Sequence, residues 1–379
     1  MKRKLFDSDH EQFRASVRKF LAEEAAPHRE AWEKDGQVSR EIWRRAGELG
    51  MLCPTIPEEY GGVGVDFRYN VIVDEEVARC GVSGLGFGLH SDISVPYLLA
   101  YGTEAQKQKY LPGCIDGSII TAIAMTEPGT GSDLQSVKTF ARKEGDEFVL
   151  NGSKTFITNG QMADLVFVVA KSGDGEGAKA VSLFLVEAGT PGFTKGKNLE
   201  KIGLKSQDTS ELFFQDVRIP ADNLLGEAGM GFIYLMQELS QERLSVAVAA
   251  VAVSEWILEE TVNYVKERHA FGRPIAALQN TQFKLAELSA EATQARIFVD
   301  YCLEQHLAGE LDQVLAAKLK LLTTDLQCKL VDECLQLHGG YGYMWEYPVA
   351  RAFADSRVQK IYAGTNEIMK LIIGRTLIS

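Results

Sequence analysis

No two cysteines in this chain stand at the CxxC spacing of a zinc or redox site. The six, at positions 53, 80, 114, 302, 328 and 334, are scattered and read as reduced thiols inside a cytoplasmic protein. The six histidines are equally dispersed, which leaves no cluster of metal ligands. No run of residues is long and apolar enough for a transmembrane helix, and the opening Met1-Lys-Arg-Lys-Leu-Phe-Asp-Ser8 lacks the apolar centre of a signal peptide. Positive charge is in short supply: 40 Lys and Arg face 52 Asp and Glu, a net charge of −12. That disfavours nucleic acid or an anionic membrane as a bulk partner, while a small anionic ligand is still decided by local Arg and Lys. Internal repeats and low-complexity tracts are missing too.

What is present is 379 residues with 45% apolar side chains, enough for two or three domains with a large core. The most informative stretch is Ile123-Ala-Met-Thr-Glu-Pro-Gly-Thr-Gly-Ser-Asp-Leu-Gln135. An apolar, strand-like run breaks into a loop in which Pro128 presets a turn and Gly129 and Gly131 open the backbone. The loop should expose N–H groups and the hydroxyls of Thr126, Thr130 and Ser132, with no Lys or Arg among them. Such a surface can hydrogen-bond a heterocycle edge or a pyrophosphate. Its glycines have neither the dinucleotide-fingerprint nor the P-loop spacing. On spacing alone, a loop that merely turns is the simpler account.

The periodicity divides the chain in three. Residues 1–117 read as helical: Phe13, Val17, Phe20 and Leu21 share a face, and Pro27 is expected to close that element. Ser39 should cap a helix carrying Ile42, Trp43 and Ala46, and Thr103 with Gln106 forms a capping-box start. Residues 118–228 alternate like strands. Phe148 to Leu150, an Asn151-Gly152 turn and Ser153 to Thr158 give a hairpin signal. Further strands are expected at 165–170, 181–186 and 211–219, with Ser172 to Gly177 as a mobile surface loop. Residues 229–379 return to helix, in elements of more than twenty residues (231–268, 281–307, 311–337), and a last helix begins near Thr365. Long helices joined by short loops predict an antiparallel four-helix bundle.

Four more segments join the opening stretch: Lys154-Thr-Phe-Ile-Thr-Asn-Gly160, Arg268-His-Ala-Phe-Gly272, Gln336-Leu-His-Gly-Gly-Tyr-Gly342 and Ile361-Tyr-Ala-Gly-Thr-Asn-Glu-Ile368. With these five motifs in order, the chain closely resembles the acyl-CoA dehydrogenases from its first helix to its last. It looks nearest the long-chain branch, through Leu235 to Leu244 and Gly339 to Pro348. The resemblance implies an α+β multidomain chain with an N-terminal α-helical domain (1–117), a middle β-barrel or sandwich domain (118–228) and a C-terminal four-helix bundle (229–379). It implies FAD as cofactor, acyl-CoA as substrate, an electron-transfer flavoprotein as partner, and a homotetramer with FAD near the subunit interface. The chemistry it implies is α,β-desaturation, in which a carboxylate takes the α-proton and the β-hydrogen leaves as hydride to flavin N5.

Carried over residue by residue, the resemblance puts Ile123, Ala124, Met125, Thr126, Glu127, Pro128, Gly129, Thr130, Gly131, Ser132, Phe156, Ile157 and Thr158 around the flavin ring, with Thr158 nearest N5 and Ser132 touching substrate as well. Arg268, His269, Ala270, Phe271, Leu278 and Gln279 would reach the FAD of a neighbouring subunit, together with Gln336, Leu337, His338, Gly339 and Gly340. On composition alone Arg268 is a solvated cation at a helix end. Thr365, Asn366 and Glu367 open the last helix, whose N–H groups suit an anion. Ser240, Gln241, Glu242, Arg243, Ala363 and Gly364 would contact substrate, with Lys179 a candidate for the nucleotide end.

In much of the family the base is a Glu before the Gly-Thr of the last motif. Here that position is Ala363, whose backbone N–H could still bind the thioester oxygen. The long-chain and isovaleryl branches carry a Glu before an Arg-Leu on the first bundle helix instead. Here that is Glu242, with Glu367 the second choice. Glu238, Glu242 and Arg243 could equally make a solvated charged face. Against that reading, Val246, Ala247, Ala249, Ala250, Val251 and Val253 follow, so the helix should be buried, and a carboxylate facing a dry pocket becomes a stronger base. An isovaleryl or other short branched-chain dehydrogenase is the near alternative. A non-catalytic flavin-containing binding protein is the alternative from another class.

Overall fold

A computed structural model describes residues 3–173, 175 and 177–378. Asp174 and Glu176, in the loop expected at 172–177, lie outside the described residues. Six helices come first: α1 (Ser8–Phe20), α2 (Arg29–Asp35), α3 (Arg40–Glu48), α4 (Arg68–Arg79), α5 (Val95–Tyr101) and α6 (Glu104–Ile115). Their starts follow the local signals. The Ser39 side chain accepts from Ile42 N, and Thr103 and Gln106 make the reciprocal capping box. Pro27 does not close the first element as expected. It lies in a 3-10 turn, Ala26–His28, reached through a π turn, and the path continues into α2. At the start of a turn proline's missing N–H costs nothing, so it redirects the helix instead of ending it.

The middle of the chain forms β1 (Thr121–Ala124), β2 (Phe140–Glu144), β3 (Glu147–Thr158), β4 (Leu165–Ser172), β5 (Val181–Glu187), β6 (Phe193–Asn198), β7 (Thr209–Pro220) and β8 (Leu224–Leu225). Their hydrogen-bonded order is β6-β7-β3-β2-β4-β5-β8, with β1 parallel to β4. The sheet closes over one core, in which Val166 and Val168 of β4 and Phe184 of β5 meet Leu150 of β3 and Leu212 and Phe214 of β7. The opposite face of β4 and β5 (Leu165, Phe167, Val169, Leu183, Leu185) packs against Leu98 of α5, Leu111 of α6 and Leu235. These strands are therefore buried on both sides and carry apolar residues without alternation.

The hairpin expected at Asn151-Gly152 is a correction. β3 runs unbroken through it, and the tight turn lies at Gly145, where Glu144 pairs with Glu147. Asn151 is held by β7, exchanging hydrogen bonds with the backbone and side chain of Asp216. Gly152 marks a register shift, and a Cβ there would come within 2.5 Å of the Thr139 hydroxyl. The glycine serves close approach in a bulge rather than a turn.

Then come α7 (Gly231–Glu267), a two-residue hairpin of β9 (His269–Ala270) and β10 (Arg273–Pro274), α8 (Gln279–Leu307), α9 (Gln313–His338), α10 (Pro348–Ser356) and α11 (Asn366–Ile378). The first half of α7 shares a core with the N-terminal helices: Leu244, Ala247, Val248 and Val251 meet Val71 and Ile72 of α4 and Val299 of α8. Glu75 of α4 accepts from Arg3, from Arg14 of α1 and from Arg296 of α8, a buried polar tie between helices at opposite ends of the chain. No helix of the described residues is long and apolar enough to cross a membrane.

Candidate active site

The strand and loop from Thr121 to Ser132 and the end of β3 come together, as one backbone and one side-chain hydrogen bond show. Thr155 N donates to Thr126 O at 2.9 Å, and Asn159 Nδ2 donates to Thr121 O at 3.1 Å. Beneath them Lys154 is wholly buried, its Nζ donating to Met125 O at 3.0 Å and to Glu127 Oε1 at 2.8 Å. The Glu127 carboxylate also accepts from the backbone N–H of Lys138 and Thr139. Burial pulls the Lys154 ammonium down to about 8 against the pull of Glu127.

Two expectations about this loop change. Thr130 is buried and spends its hydroxyl on Ser136 O at 3.2 Å, and its backbone pairs with that of Glu127. Thr130 and Glu127 therefore hold the loop's shape, and the exposed hydroxyl surface shrinks to Thr126 and Ser132. Those two and Thr158 make no side-chain hydrogen bond among the described residues, so they are free to bind a ligand. Phe156 adopts φ +59° at the register shift between Lys154 and Ile157, which leaves its ring 68% exposed on the same edge while Ile157 points inward. A non-glycine residue held in that region is strained, and such strain concentrates at functional sites. An exposed aromatic, free hydroxyls and open glycines (a Cβ on Gly129 or Gly131 would meet nothing within 4 Å) suit a flat, polar-edged ring system such as a flavin.

A second group gathers at the far end of the bundle. Tyr264, Arg268, Ile275, Gln336, Leu337, His338, Gly339, Gly340, Tyr341 and Met344 line a cleft of about 530 Å³. His338 stacks on Tyr264 at 4.2 Å between ring centres, and the Arg268 guanidinium lies 5.6 Å from the centre of the Tyr341 ring. The β9–β10 turn places Phe271 and Gly272 both at positive φ, the geometry of a two-residue hairpin, and lifts Phe271 to 92% exposure. His269, Ala270, Leu278 and Gln279 follow along the same connection. Lys179 is exposed in a short turn before β5.

The carboxylate site lies on α7. Glu242 and Arg243 are 4% and 3% exposed, and Glu238 is half-buried, so this stretch is no solvated face. Tyr97 of α5 donates to Glu242 Oε1 at 2.8 Å. Burial pushes the Glu242 carboxyl up to about 7, opposed by the Tyr97 hydrogen bond and the Arg243 charge and assisted by Glu238. Arg243 Nε and Nη1 have no hydrogen-bond partner among the described residues, which costs free energy unless a ligand or water meets them. The flanking residues are engaged: Gln241 Nε2 donates to Asp92 O at 2.7 Å and Ser245 Oγ to Asp92 Oδ2 at 3.1 Å. Asp92 sits in a π-helical turn, Leu89–Ser94, before α5, and burial raises both it and the neighbouring Asp74.

Facing Arg243 is the turn from Ala363 to Asn366. A Cβ on Gly364 would lie 3.8 Å from Arg243 Nη2, so this turn and the Glu242 turn of α7 adjoin. Ala363 and Gly364 both take positive φ, +52° and +83°, and the Ala363 N–H donates to no group among the described residues. α9 pins the turn. Buried Lys320 donates to Gly364 O and Asn366 Oδ1, both at 2.9 Å, and Asn366 Nδ2 reaches Thr324 and Asp325. Asn366 is thus spent within the chain, while Glu367 is exposed at the start of α11 and Thr365 Oγ1 accepts from Ile368 N. Glu367, the rival base, is drawn below the usual carboxylate range by the backbone N–H at the start of α11, which makes it the poorer base.

Models of the acyl-CoA dehydrogenase N-terminal, middle and C-terminal domains match residues 7–118, 122–217 and 229–378. The chain is 53% identical over 378 residues to the mitochondrial long-chain specific acyl-CoA dehydrogenase of Sus scrofa, covering 99% of this chain and 88% of that one. The chain belongs to the acyl-CoA dehydrogenase family. Its fold superposes on the crystal structure of an acyl-CoA dehydrogenase from Geobacillus kaustophilus with a TM-score of 0.97 at 50% identity, covering 99% and 100% of the two chains. A glutaryl-CoA dehydrogenase from Mycobacterium smegmatis, solved in complex with FADH2, matches at a TM-score of 0.91 and 29% identity over 99% of this chain and 95% of that one. Members of the family are FAD-dependent oxidoreductases, and the three layers described above are the family fold.

Sequence reasoning missed Tyr97, Asp92 and Lys320, each of which touches a candidate site residue. No local signal marks them, since Tyr97 reads as one more apolar residue in Val95 to Tyr101 and Lys320 as one more exposed charge on a long helix.

Proposed function

We propose that this chain catalyses FAD-dependent α,β-dehydrogenation of fatty acyl-CoA, medium to long in chain length, to the trans-2-enoyl-CoA, with Glu242 as the base. The observation that carries the reading is the buried Glu242 carboxyl, raised to about 7 and set beside the Ala363–Gly364 turn. A base near neutrality is ionised at working pH and still strong enough to take a proton from carbon. The free Ala363 N–H, aimed by two left-handed residues and pinned by Lys320, is the donor for the thioester oxygen, on which negative charge grows as the α-proton leaves. A backbone donor fixed in advance costs no reorganisation at that moment.

Thr126, Ser132, Phe156 and Thr158 would seat the flavin ring, and the cleft at Arg268 and Gln336 to Gly340 would take the phosphate side. FAD, when bound, supplies the acceptor for the hydride from Cβ. Ser240, Gln241 and Arg243 flank the substrate in this reading, with Lys179 at the nucleotide end. The domains are assigned as 1–117, 118–228 and 229–379. Exposed Phe271, Tyr343 and Phe283 suit burial in a homotetramer, and electrons would pass to an electron-transfer flavoprotein. We assign the protein to the cytoplasm, where six free cysteines remain reduced; cell fractionation tests this.

The deciding experiment is anaerobic mixing of the FAD-loaded protein with straight acyl-CoA thioesters of increasing length and with isovaleryl-CoA, following loss of oxidised-flavin absorbance. Fast bleaching by the longer straight chains is expected. A response confined to isovaleryl-CoA would replace the substrate assignment, and no bleaching by any thioester would end the reading as a dehydrogenase.

A further inference from the structure

The two oxygens of Glu242 are not equivalent. Tyr97, wholly buried in α5, gives its phenol O–H to Oε1 at 2.8 Å, and no other group among the described residues hydrogen-bonds the carboxylate. A phenol in so dry a place needs an acceptor, and this is the one it has. The ring is enclosed: it belongs to one buried apolar cluster with Leu111 of α6 and Leu235 of α7, and it lies 6.3 Å from the Tyr101 ring. We propose that Tyr97 is the positioning residue of the base, holding Glu242 by Oε1 so that Oε2 takes the α-proton, and setting the basicity of that oxygen. This rests on Glu242 being the base, and it adds which oxygen reacts and what tunes it.

The surroundings leave Tyr97 as the direct control. On α7 itself, Arg243 follows Glu242 and favours its ionisation, while Glu238 opposes it from one turn before. Glu238 is tied to Tyr101 of α5 at 2.8 Å. From the π turn Asp92 engages Gln241 and Ser245, and from α4 Asp74 lies against Asp92. From α9 Lys320 is turned to Gly364 and Asn366, and from α8 Arg296 pairs with Glu255 farther along α7. None of these bonds to the Glu242 carboxylate. A phenol O–H stabilises the ionised form and so pulls Glu242 down, against burial, which pulls it up. Without the O–H, the base would need a higher pH to ionise and its carboxylate would be free to rotate.

The test is the pH dependence of kcat/KM from pH 5.5 to 9 with dodecanoyl-CoA and an artificial acceptor, because the acid limb reports the base in the free enzyme. Tyr97→Phe keeps the ring and removes only the O–H. Its acid limb is expected about one to two pH units above that of the wild type, so the loss of activity is about tenfold or more worse at pH 6 than at pH 9. Tyr101→Phe, which frees Glu238 instead, should leave the limb close to its wild-type place. Replacing Tyr97 by 3,5-difluorotyrosine keeps the bond and strengthens the donor, and must move the limb the other way, even if the Phe variant folds poorly. A uniform loss at every pH, or a limb unmoved in both Tyr97 variants, would overturn the proposal and leave Tyr97 as packing. Turnover surviving in Glu242→Gln would overturn the assignment of the base instead, so the two failures are told apart.

Discussion

Glu242→Gln should make this protein both inactive and more stable, with the second effect tied to pH. An ordinary glutamate titrates near 4.5, and here burial sets the carboxyl at about 7. Above pH 7 the folded state therefore holds a charge that it disfavours and the unfolded chain does not. One pH unit is worth about 1.4 kcal/mol, so the native state gives up about 3 kcal/mol at pH 8 to keep this carboxylate ionised. The sign follows from a folded pKa above the unfolded one: the carboxyl costs nothing well below pH 4.5, its penalty builds as pH rises from about 4.5 to 7, and above that it is constant. Gln removes that penalty and can still accept from Tyr97 through its amide oxygen, but its NH2 group takes the Oε2 side without a partner. The unpartnered NH2 takes back about 1 kcal/mol or more, so the net gain is about 1–2 kcal/mol at pH 8 and about 2 kcal/mol less at pH 5, where it is gone or reversed. Urea unfolding of both proteins at the two pH values measures the difference, and turnover should fall roughly 10²–10⁴-fold. A variant no more stable than the parent at pH 8, or one whose gain is the same at pH 5, would refute the account of this buried carboxylate.

Lys154→Met leaves the Glu127 carboxylate buried with only two backbone donors, which should cost about 3–5 kcal/mol by urea unfolding and reduce FAD per chain, because Glu127 shapes the loop from Ile123 to Ser132. Adding Glu127→Gln should recover part of the loss, and losses that simply add would sink the coupling. Arg268→Ala removes the cation from the cleft at Gln336 to Gly340 and is expected to lower the FAD retained after gel filtration several-fold. Wild-type flavin content would return Arg268 to the status of a solvated helix-end charge.

Local signals carried the secondary structure. The caps at Ser39 and Thr103, the unbroken apolar run at 165–170 and the long periodic helices of the last third depend on neighbours within a few residues, and the chain forms helix and strand there as its pattern predicts. Asn151-Gly152 and Pro27 misled because the same residues serve two geometries. Only the pairing with β7 and the packing beneath Thr139 make Gly152 a bulge, and only the continuation into α2 makes Pro27 a bend.

The sequence by itself determined the layers, the family and Glu242 as a carboxylate on a helix too apolar to lie in water. Tertiary structure decided what surrounds that carboxylate. Tyr97 stands 145 residues away, Lys320 pins the Ala363 turn from another helix, and the Thr130 hydroxyl turns inward. None of these is written in a local pattern, because hydrogen bonds between distant segments depend on which faces pack together. Burial, which moves Glu242 to about 7, exists only once α4, α5 and α9 have closed around α7.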